Sequence, residues 1–111
     1  MISQLKGLRI AITGSCSYIG SALLQQLVNK DIKITALYRS VMPEHMEGML
    51  SVCCDLMDKS RLEECLRGCD AVVHLAWCGN KGSKTREEEY NLQITKNVLL
   101  INNDAASLWS K

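Results

Sequence analysis

Short apolar runs alternate with longer amphipathic segments along the chain. Four of the runs are rich in β-branched and small apolar residues and stop at a polar or glycine residue, which is typical of strands. They are residues 8–13, 32–38, 50–54 and 71–75. The last run is nearly all apolar, and this predicts a strand that is buried on both faces.

Three segments are predicted to be helices from their apolar spacing and end signals. They are residues 19–28, 60–67 and 85–103. Ser60 stands three residues before Glu63, the spacing of a capping box in which each side chain bonds the other residue's backbone amide. We therefore expect Ser60 to cap the second helix and Gly68 to end it.

Strands and helices follow one another without any hairpin signal. Residues 40–49 hold Pro43 and Gly48 and are predicted to be a loop, as is the polar segment 79–84. The resulting order, β-α-β-loop-β-α-β-α, needs crossover connections, and such connections join parallel strands. The sequence thus predicts an α/β fold with a parallel sheet.

Length and charge narrow the range of functions. The 111 residues fit one domain, so we expect residues 1–111 to form a single unit. A net charge of +1, from 13 basic and 12 acidic residues, favours neither nucleic acid nor an anionic membrane as a partner. No apolar run approaches the roughly 20 residues that span a bilayer. Residues 1–7 lack the apolar core of a secretory signal, and we expect a cytoplasmic protein.

Six cysteines raise the question of disulfides or a metal site. No two of them form a C-x-x-C pair, and the chain has only two histidines, so the ligand spacing of a zinc site is absent. We interpret the cysteines as small apolar residues with free thiols in a reducing compartment, and predict no metal site. A role as redox sensors is the alternative for exposed cysteines such as Cys16 or Cys78.

A glycine turn joins the first predicted strand to the first predicted helix. Gly14 lets the chain turn sharply, and Gly20 lets the helix pack close to the sheet. The amides at the start of such a helix point at the space above the turn, where pyrophosphate is the usual occupant. The residues predicted to form this cofactor site are Gly14, Ser15, Ser17, Tyr18, Ile19 and Gly20.

This turn resembles the opening motif T-G-x-x-G-x-x-G of the extended short-chain dehydrogenase/reductases, the NAD(P)-dependent epimerase/dehydratase family. Thr13, Gly14 and Gly20 match the motif, and Ser17 replaces its middle glycine. Two effects of Ser17 are open. Its Cβ hinders the approach of pyrophosphate, or its hydroxyl bonds the phosphate.

Three further segments resemble motifs of the same family and extend the resemblance over residues 8–101. Residues 54–56 resemble its G-D-L motif, residues 70–76 its D-x-V-x-H-x-A strand, and residues 91–99 its N-x-x-x-T-x-N-x-L helix. The resemblance implies a Rossmann-type, doubly wound parallel sheet, truncated to about four strands in the order 3-2-1-4. It also implies cofactor contacts, with Asp55 near the adenine amino group. The residues that it adds are Asp55, Leu56, Leu75 and Ala76.

Several of these residues have a plainer interpretation. Asp55 is alternatively the cap of a turn, and Asn91 a solvated helix residue. For His74, a hydrogen-bonded position at a strand end is favoured over any catalytic part. Trp77 stands where the family usually has a small residue, and it either packs over the mouth of the cleft or partly fills it.

The end of the second predicted strand bears on the choice of cofactor. An NAD site places an acidic residue near this point to bond the ribose hydroxyls, and the sequence has Arg39 and Ser40 instead. Arg39 would pair with a 2′-phosphate and Ser40 would donate to it. We therefore predict NADP as the preferred cofactor, with NAD as the alternative. A solvated surface arginine is the plainer interpretation of Arg39.

Family members carry out their chemistry with a Ser or Thr and a Tyr-x-x-x-Lys pair. None of the three tyrosines here is followed by Lys at that spacing, so we predict no catalytic residue in this chain. Three interpretations remain: the cofactor-binding portion of an oxidoreductase or epimerase, a non-catalytic nucleotide-binding or redox-sensing module, and a structural chain that completes its sheet with a partner. In the 3-2-1-4 order the fourth strand is an edge without Pro or Lys, which favours self-association or a completing chain.

Overall fold

The computed structural model describes residues 7–27, 30–77 and 82–109, with side chains as far as residue 100. The strands are β1 (Arg9–Thr13), β2 (Lys33–Tyr38), β3 (Met49–Cys53) and β4 (Ala71–His74). The helices are α1 (Tyr18–Leu27), α2 (Lys59–Leu66) and α3 (Lys84–Trp109). The predicted order of elements is confirmed, and the predicted loop between β2 and β3 has no regular structure.

The four strands form one parallel sheet in the order β3-β2-β1-β4. The central strand β1 places Ile12 between Ala36 of β2 and Val73 of β4. The predicted Rossmann-type sheet, with its 3-2-1-4 order, is therefore confirmed. Because the strands are parallel, the segments that follow them all emerge at the same edge.

Alternate residues of β1 face opposite sides of the sheet, and both sides are covered. Ile10 and Ile12 belong to a buried cluster with Leu24 of α1. Ala11 belongs to a second buried cluster with Leu62 of α2 and Val98 of α3. Burying one such aliphatic side chain contributes about 1.5–3 kcal/mol, so the two clusters fix α1 on one face and α2 and α3 on the other.

The prediction that the fourth strand is buried on both faces is confirmed for its packing but not for its degree of burial, since Ala71 and Val73 pack against one buried cluster and Val72 against the other. All of its residues, Ala71–His74, are only half-buried. The strand pairs with β1 on one side, and within the described residues no strand pairs with its other side. The apolar sequence therefore predicts packing on both faces, whereas full burial also requires a neighbouring strand at the edge.

The predicted capping box at the start of the second helix is also wrong. The N-cap is Asp58, whose carboxylate accepts a hydrogen bond from the Arg61 amide at 3.1 Å. Ser60 lies within the first turn of α2, where its side chain cannot cap. The Asp58 amide donates to the Asp55 carbonyl at 2.9 Å, and this turn places the N-cap two residues before the predicted one. The predicted end at Gly68 is confirmed by its φ of 82°, the left-handed conformation that follows many helices.

The last helix runs to Trp109, six residues beyond its predicted end at Asn103. No proline or glycine occurs after Asn103 to stop it. The predicted end of the first helix at Val28 and residues 79–81 of the second predicted loop lie outside the described residues. In the described part of the chain, no helix has both the length and the apolar character needed to cross a bilayer.

Candidate functional site

A cavity of about 390 Å³ lies at the carboxyl edge of the sheet. Residues that follow each of the four strands line it, and α3 closes one side. The predicted site residues around it are Gly14, Ser15, Ser17, Arg39, Ser40, Asp55, Leu56, Leu75 and Ala76. In open parallel sheets, ligands bind at this edge, where strand connections diverge to the two faces.

Two glycines allow the turn between β1 and α1 to form beside the cavity. Gly14 has a φ of 69°, and a Cβ there would lie 2.7 Å from the Ala76 nitrogen and from the Leu75 carbonyl carbon. A Cβ at Gly20 would overlap the Gly14 carbonyl oxygen. A side chain at Gly14 would thus push the turn away from the segment that follows β4. A side chain at Gly20 would push α1 away from the turn.

The Ser17 hydroxyl is engaged within the turn. It donates to the Gly14 carbonyl at 2.7 Å and accepts from the Gly20 amide at 3.0 Å. Ser17 immediately precedes α1, so this second bond is that of a helix N-cap. The side chain that replaces the family's middle glycine therefore ties the turn together.

The side chains of Tyr18 and Ile19 do not line the cavity. Both are exposed, Tyr18 to 92% and Ile19 to 65%. Their backbone amides belong to the first turn of α1, which has no preceding helical carbonyl to accept from them. Any contribution of these two predicted site residues to an anion site is therefore made by the backbone.

Ser15 and Cys16 connect the glycine turn to the end of β2. The Ser15 hydroxyl is buried and donates to the Leu37 carbonyl at 3.2 Å. The Cys16 thiol donates to the Val41 carbonyl at 2.8 Å. These bonds hold the glycine turn beside the segment that carries Arg39 and Ser40. The position of the glycine turn relative to Arg39 is therefore fixed.

A partly buried hydrogen-bond network supports the turn from the β4 side. The Thr13 hydroxyl oxygen accepts from the Leu75 and Ala76 amides at 3.1 and 3.2 Å. Its single hydrogen is then directed to His74 Nδ1, 2.6 Å away, so His74 carries its proton on Nε2 and donates to Thr95 Oγ1 at 3.1 Å. Burial lowers the pKa of His74, in agreement with a neutral ring. The favoured interpretation of His74 as a hydrogen-bonded residue at a strand end is confirmed.

The segment after β3 is fixed by a turn and by a side chain of α3. The Asp55 carboxylate accepts from the Met57 amide at 2.9 Å, so Asp55 caps a turn while it lines the cavity. The buried Asn97 amide donates to the Leu56 carbonyl at 2.9 Å. Asn91 is buried as well and donates to the Glu87 carbonyl at 2.8 Å, so its interpretation as a solvated residue is wrong.

Charge is sparse around the cavity. Among its described lining residues, Arg39 is the only basic side chain and Asp55 the only acidic one. The two follow different strands, β2 and β3. Among the described lining residues, no carboxylate stands at the end of β2.

Several lining residues were absent from the predicted set. They are Thr13, Cys16, Leu37, Tyr38, Val41, Cys54, Trp77, Tyr90 and Ile94. Tyr90 and Ile94 lie four residues apart on α3, and helical spacing indicates a shared face. Cys16 and Val41 carry no such signal, because only the fold brings them together.

The described cysteines do not assemble a metal site. Within the described ranges, no three His, Cys, Asp or Glu side chains come close enough to hold a metal ion. The five cysteines in those ranges are free thiols, with Cys54 and Cys69 buried and Cys16 and Cys53 exposed. Burial raises the pKa of the Cys54 thiol to about 12, so it remains protonated.

The family model of the NAD dependent epimerase/dehydratase family matches residues 10–105. The chain therefore belongs to this family. It is similar to the sterol-4-alpha-carboxylate 3-dehydrogenase, decarboxylating, of Dictyostelium discoideum, with 29% identity over 96 residues. That match covers 84% of this chain and 29% of the relative.

Solved structures share the fold. The Bordetella bronchiseptica enzyme WbmG in complex with NAD superposes with a TM-score of 0.76 at 20% identity, covering 89% of this chain and 34% of that one. The UDP-N-acetylglucosamine 4-epimerase from Bacillus cereus gives a TM-score of 0.68 at 26% identity, covering 85% and 30%. The chain spans under a third of the length of the curated relatives that it matches.

Proposed function

We propose that the chain binds NADP, with NAD as the weaker ligand, and forms the cofactor-binding portion of an epimerase/dehydratase-type oxidoreductase. The observation that carries the proposal is the cavity at the carboxyl edge of the sheet. The Gly14 turn, Arg39 and Asp55 all line it. Membership of the family and the fold shared with NAD-bound WbmG support the same function.

The turn and the first turn of α1 supply the site for the pyrophosphate. Gly14 keeps the backbone open to a ligand, and the helix start offers amides and the positive end of the helix dipole. The Ser17 hydroxyl already accepts from the Gly20 amide. The amides of Tyr18 and Ile19 are therefore the groups that we assign to the pyrophosphate oxygens.

Arg39 determines the preference for NADP in this proposal. A guanidinium pairs with a phosphate through two parallel hydrogen bonds, whereas a carboxylate at the same place would repel it. Ser40 follows Arg39 along the cavity wall and adds a hydroxyl donor. We also propose a cytoplasmic location, which the free thiols of the described cysteines support.

Calorimetric titration of the 111-residue chain with NADP and NAD tests the proposal. Arg39→Asp removes the guanidinium and adds a carboxylate that can accept from ribose hydroxyls. We expect it to weaken NADP binding by at least tenfold, because a charge-assisted hydrogen bond contributes roughly 1.5–3 kcal/mol, and to leave NAD binding nearly unchanged.

Lys33→Asp is the matched control, because it makes the same charge change at the opposite end of β2. Its position in the sheet pairs it with Arg9, far along the strand from the cavity. If the two variants lost the same NADP affinity, the loss would be due to the change in net charge and not to the position of Arg39. Absence of binding by either dinucleotide to the wild-type chain would refute the proposed function.

A further inference from the structure

An aromatic residue is held in place beside the cavity on the side away from Arg39. Trp77 follows β4 and is 64% exposed, although its indole is among the largest apolar groups in the chain. Its Nε1–H donates to the Glu87 carboxylate of α3 at 2.8 Å. An exposed indole that is tied by this bond to a different element has a defined orientation.

Trp77 and Tyr90 of α3 both line the cavity. Arg39 lies after β2, and Trp77 lies after β4, with the Gly14 turn after β1 between them. A dinucleotide whose pyrophosphate rests on the turn and whose 2′-phosphate meets Arg39 must extend its other half toward β4. The aromatic pair stands in that direction.

We propose that Trp77, oriented by Glu87, forms with Tyr90 an aromatic wall that packs against the nicotinamide ring. The inference rests on the proposed dinucleotide site and adds a determinant of which form of the cofactor binds. The oxidised nicotinamide ring carries a positive charge, and the faces of Trp and Tyr attract cations. The reduced ring is neutral and lacks this attraction. The wall therefore favours oxidised over reduced cofactor.

Glu87 is the positioning residue of this wall. Its carboxylate accepts the indole N–H, and its negative charge adds to the preference for a cationic ring. Gln at this position retains an oxygen acceptor but not the charge. Ala retains neither, so the two variants separate orientation of the indole from electrostatics.

The experiment uses the 111-residue chain with Trp109→Phe, which leaves Trp77 as its single tryptophan. We expect oxidised NADP to quench the Trp77 emission, and adenosine 2′,5′-bisphosphate, which lacks nicotinamide, to bind without quenching it. Trp77→Ala should weaken oxidised NADP by about 2- to 10-fold, which is the range of one aromatic contact. Its effect on reduced NADPH should be smaller, and its effect on adenosine 2′,5′-bisphosphate absent.

Leu92→Ala is the matched control, since Leu92 is an exposed apolar residue of α3 outside the cavity lining. We expect Glu87→Gln to retain the quenching and Glu87→Ala to lose most of it. The wall is refuted if oxidised NADP binds without quenching and Trp77→Ala binds it as tightly as the parent chain. That outcome leaves the dinucleotide site intact, whereas failure of both NADP and adenosine 2′,5′-bisphosphate to bind refutes the site and the wall together.

Discussion

The Ser17 hydroxyl donates its one hydrogen to the Gly14 carbonyl and accepts a hydrogen bond from the Gly20 amide. A phosphate oxygen could accept from this hydroxyl only by displacing its bond to the Gly14 carbonyl. The structure therefore gives Ser17 a third role, stabilisation of the turn, beside the two that the sequence leaves open, a steric obstacle and a phosphate ligand. Its hydrogen bonds hold the turn against the start of α1, where the first amides have no helical acceptor.

Ser17→Ala tests this role, because it removes both hydrogen bonds and retains the Cβ. We expect the free energy of unfolding to fall by about 1 kcal/mol, the usual loss for an N-cap serine, and NADP to bind more weakly. Ser17→Thr keeps the hydroxyl and should preserve both quantities. Urea denaturation and calorimetric titration measure them.

Ser21→Ala serves as its control, because Ser21 makes only a 3.4 Å bond to the Ser15 carbonyl from the next turn of α1. Unchanged NADP affinity in Ser17→Ala, together with lower stability, would show that the hydroxyl caps the helix without shaping the ligand site. Tighter NADP binding in Ser17→Gly, which also lacks the Cβ, would instead support the idea of a steric obstacle.

The secondary-structure elements follow closely from the sequence, because each apolar run is short and each ends at a strong local signal. The features that the sequence does not predict correctly depend on contacts between residues that lie apart along the chain. Asp58 and Ser60 are both good N-cap residues, and the turn from Asp55 to Asp58 decides between them. The Thr13–His74–Thr95 network joins residues from three different elements, so only the assembled sheet reveals it.

The start of α2 gives a direct comparison of the two candidate caps. Asp58→Ala removes the acceptor for the Arg61 amide and should lower the free energy of unfolding by about 1 kcal/mol, within a range of roughly 0.5–2 kcal/mol. Ser60→Ala places a better helix former inside the helix and should leave stability unchanged or slightly raised. Chemical denaturation followed by circular dichroism measures both. If Ser60→Ala lowered the free energy of unfolding more than Asp58→Ala does, Ser60 would be the N-cap, as the sequence predicts.

At the scale of the whole molecule, the sheet formed by the described residues has two outer strands, β3 and β4. The order of the strands could be predicted from the family motifs. The partial exposure of β4 could not, because an equally apolar sequence is typical of a strand inside a sheet. Ala71–His74 are all half-buried and contain neither Pro nor Lys. Such an edge offers backbone amides and carbonyls next to apolar side chains, which favours pairing with another strand.

We therefore predict that the isolated chain self-associates through β4, or aggregates where association is not orderly. Sedimentation at several concentrations should show an average mass that rises with concentration. Hydrogen exchange at low and high concentration locates the contact, because pairing should slow exchange in Ala71–His74 while the other outer strand, Met49–Cys53, serves as the internal control. Slower exchange in β3 alone would move the contact to the opposite edge. A chain that stays monomeric and dispersed at high concentration would contradict the prediction, because it would show that the open edge of β4 does not recruit a second strand.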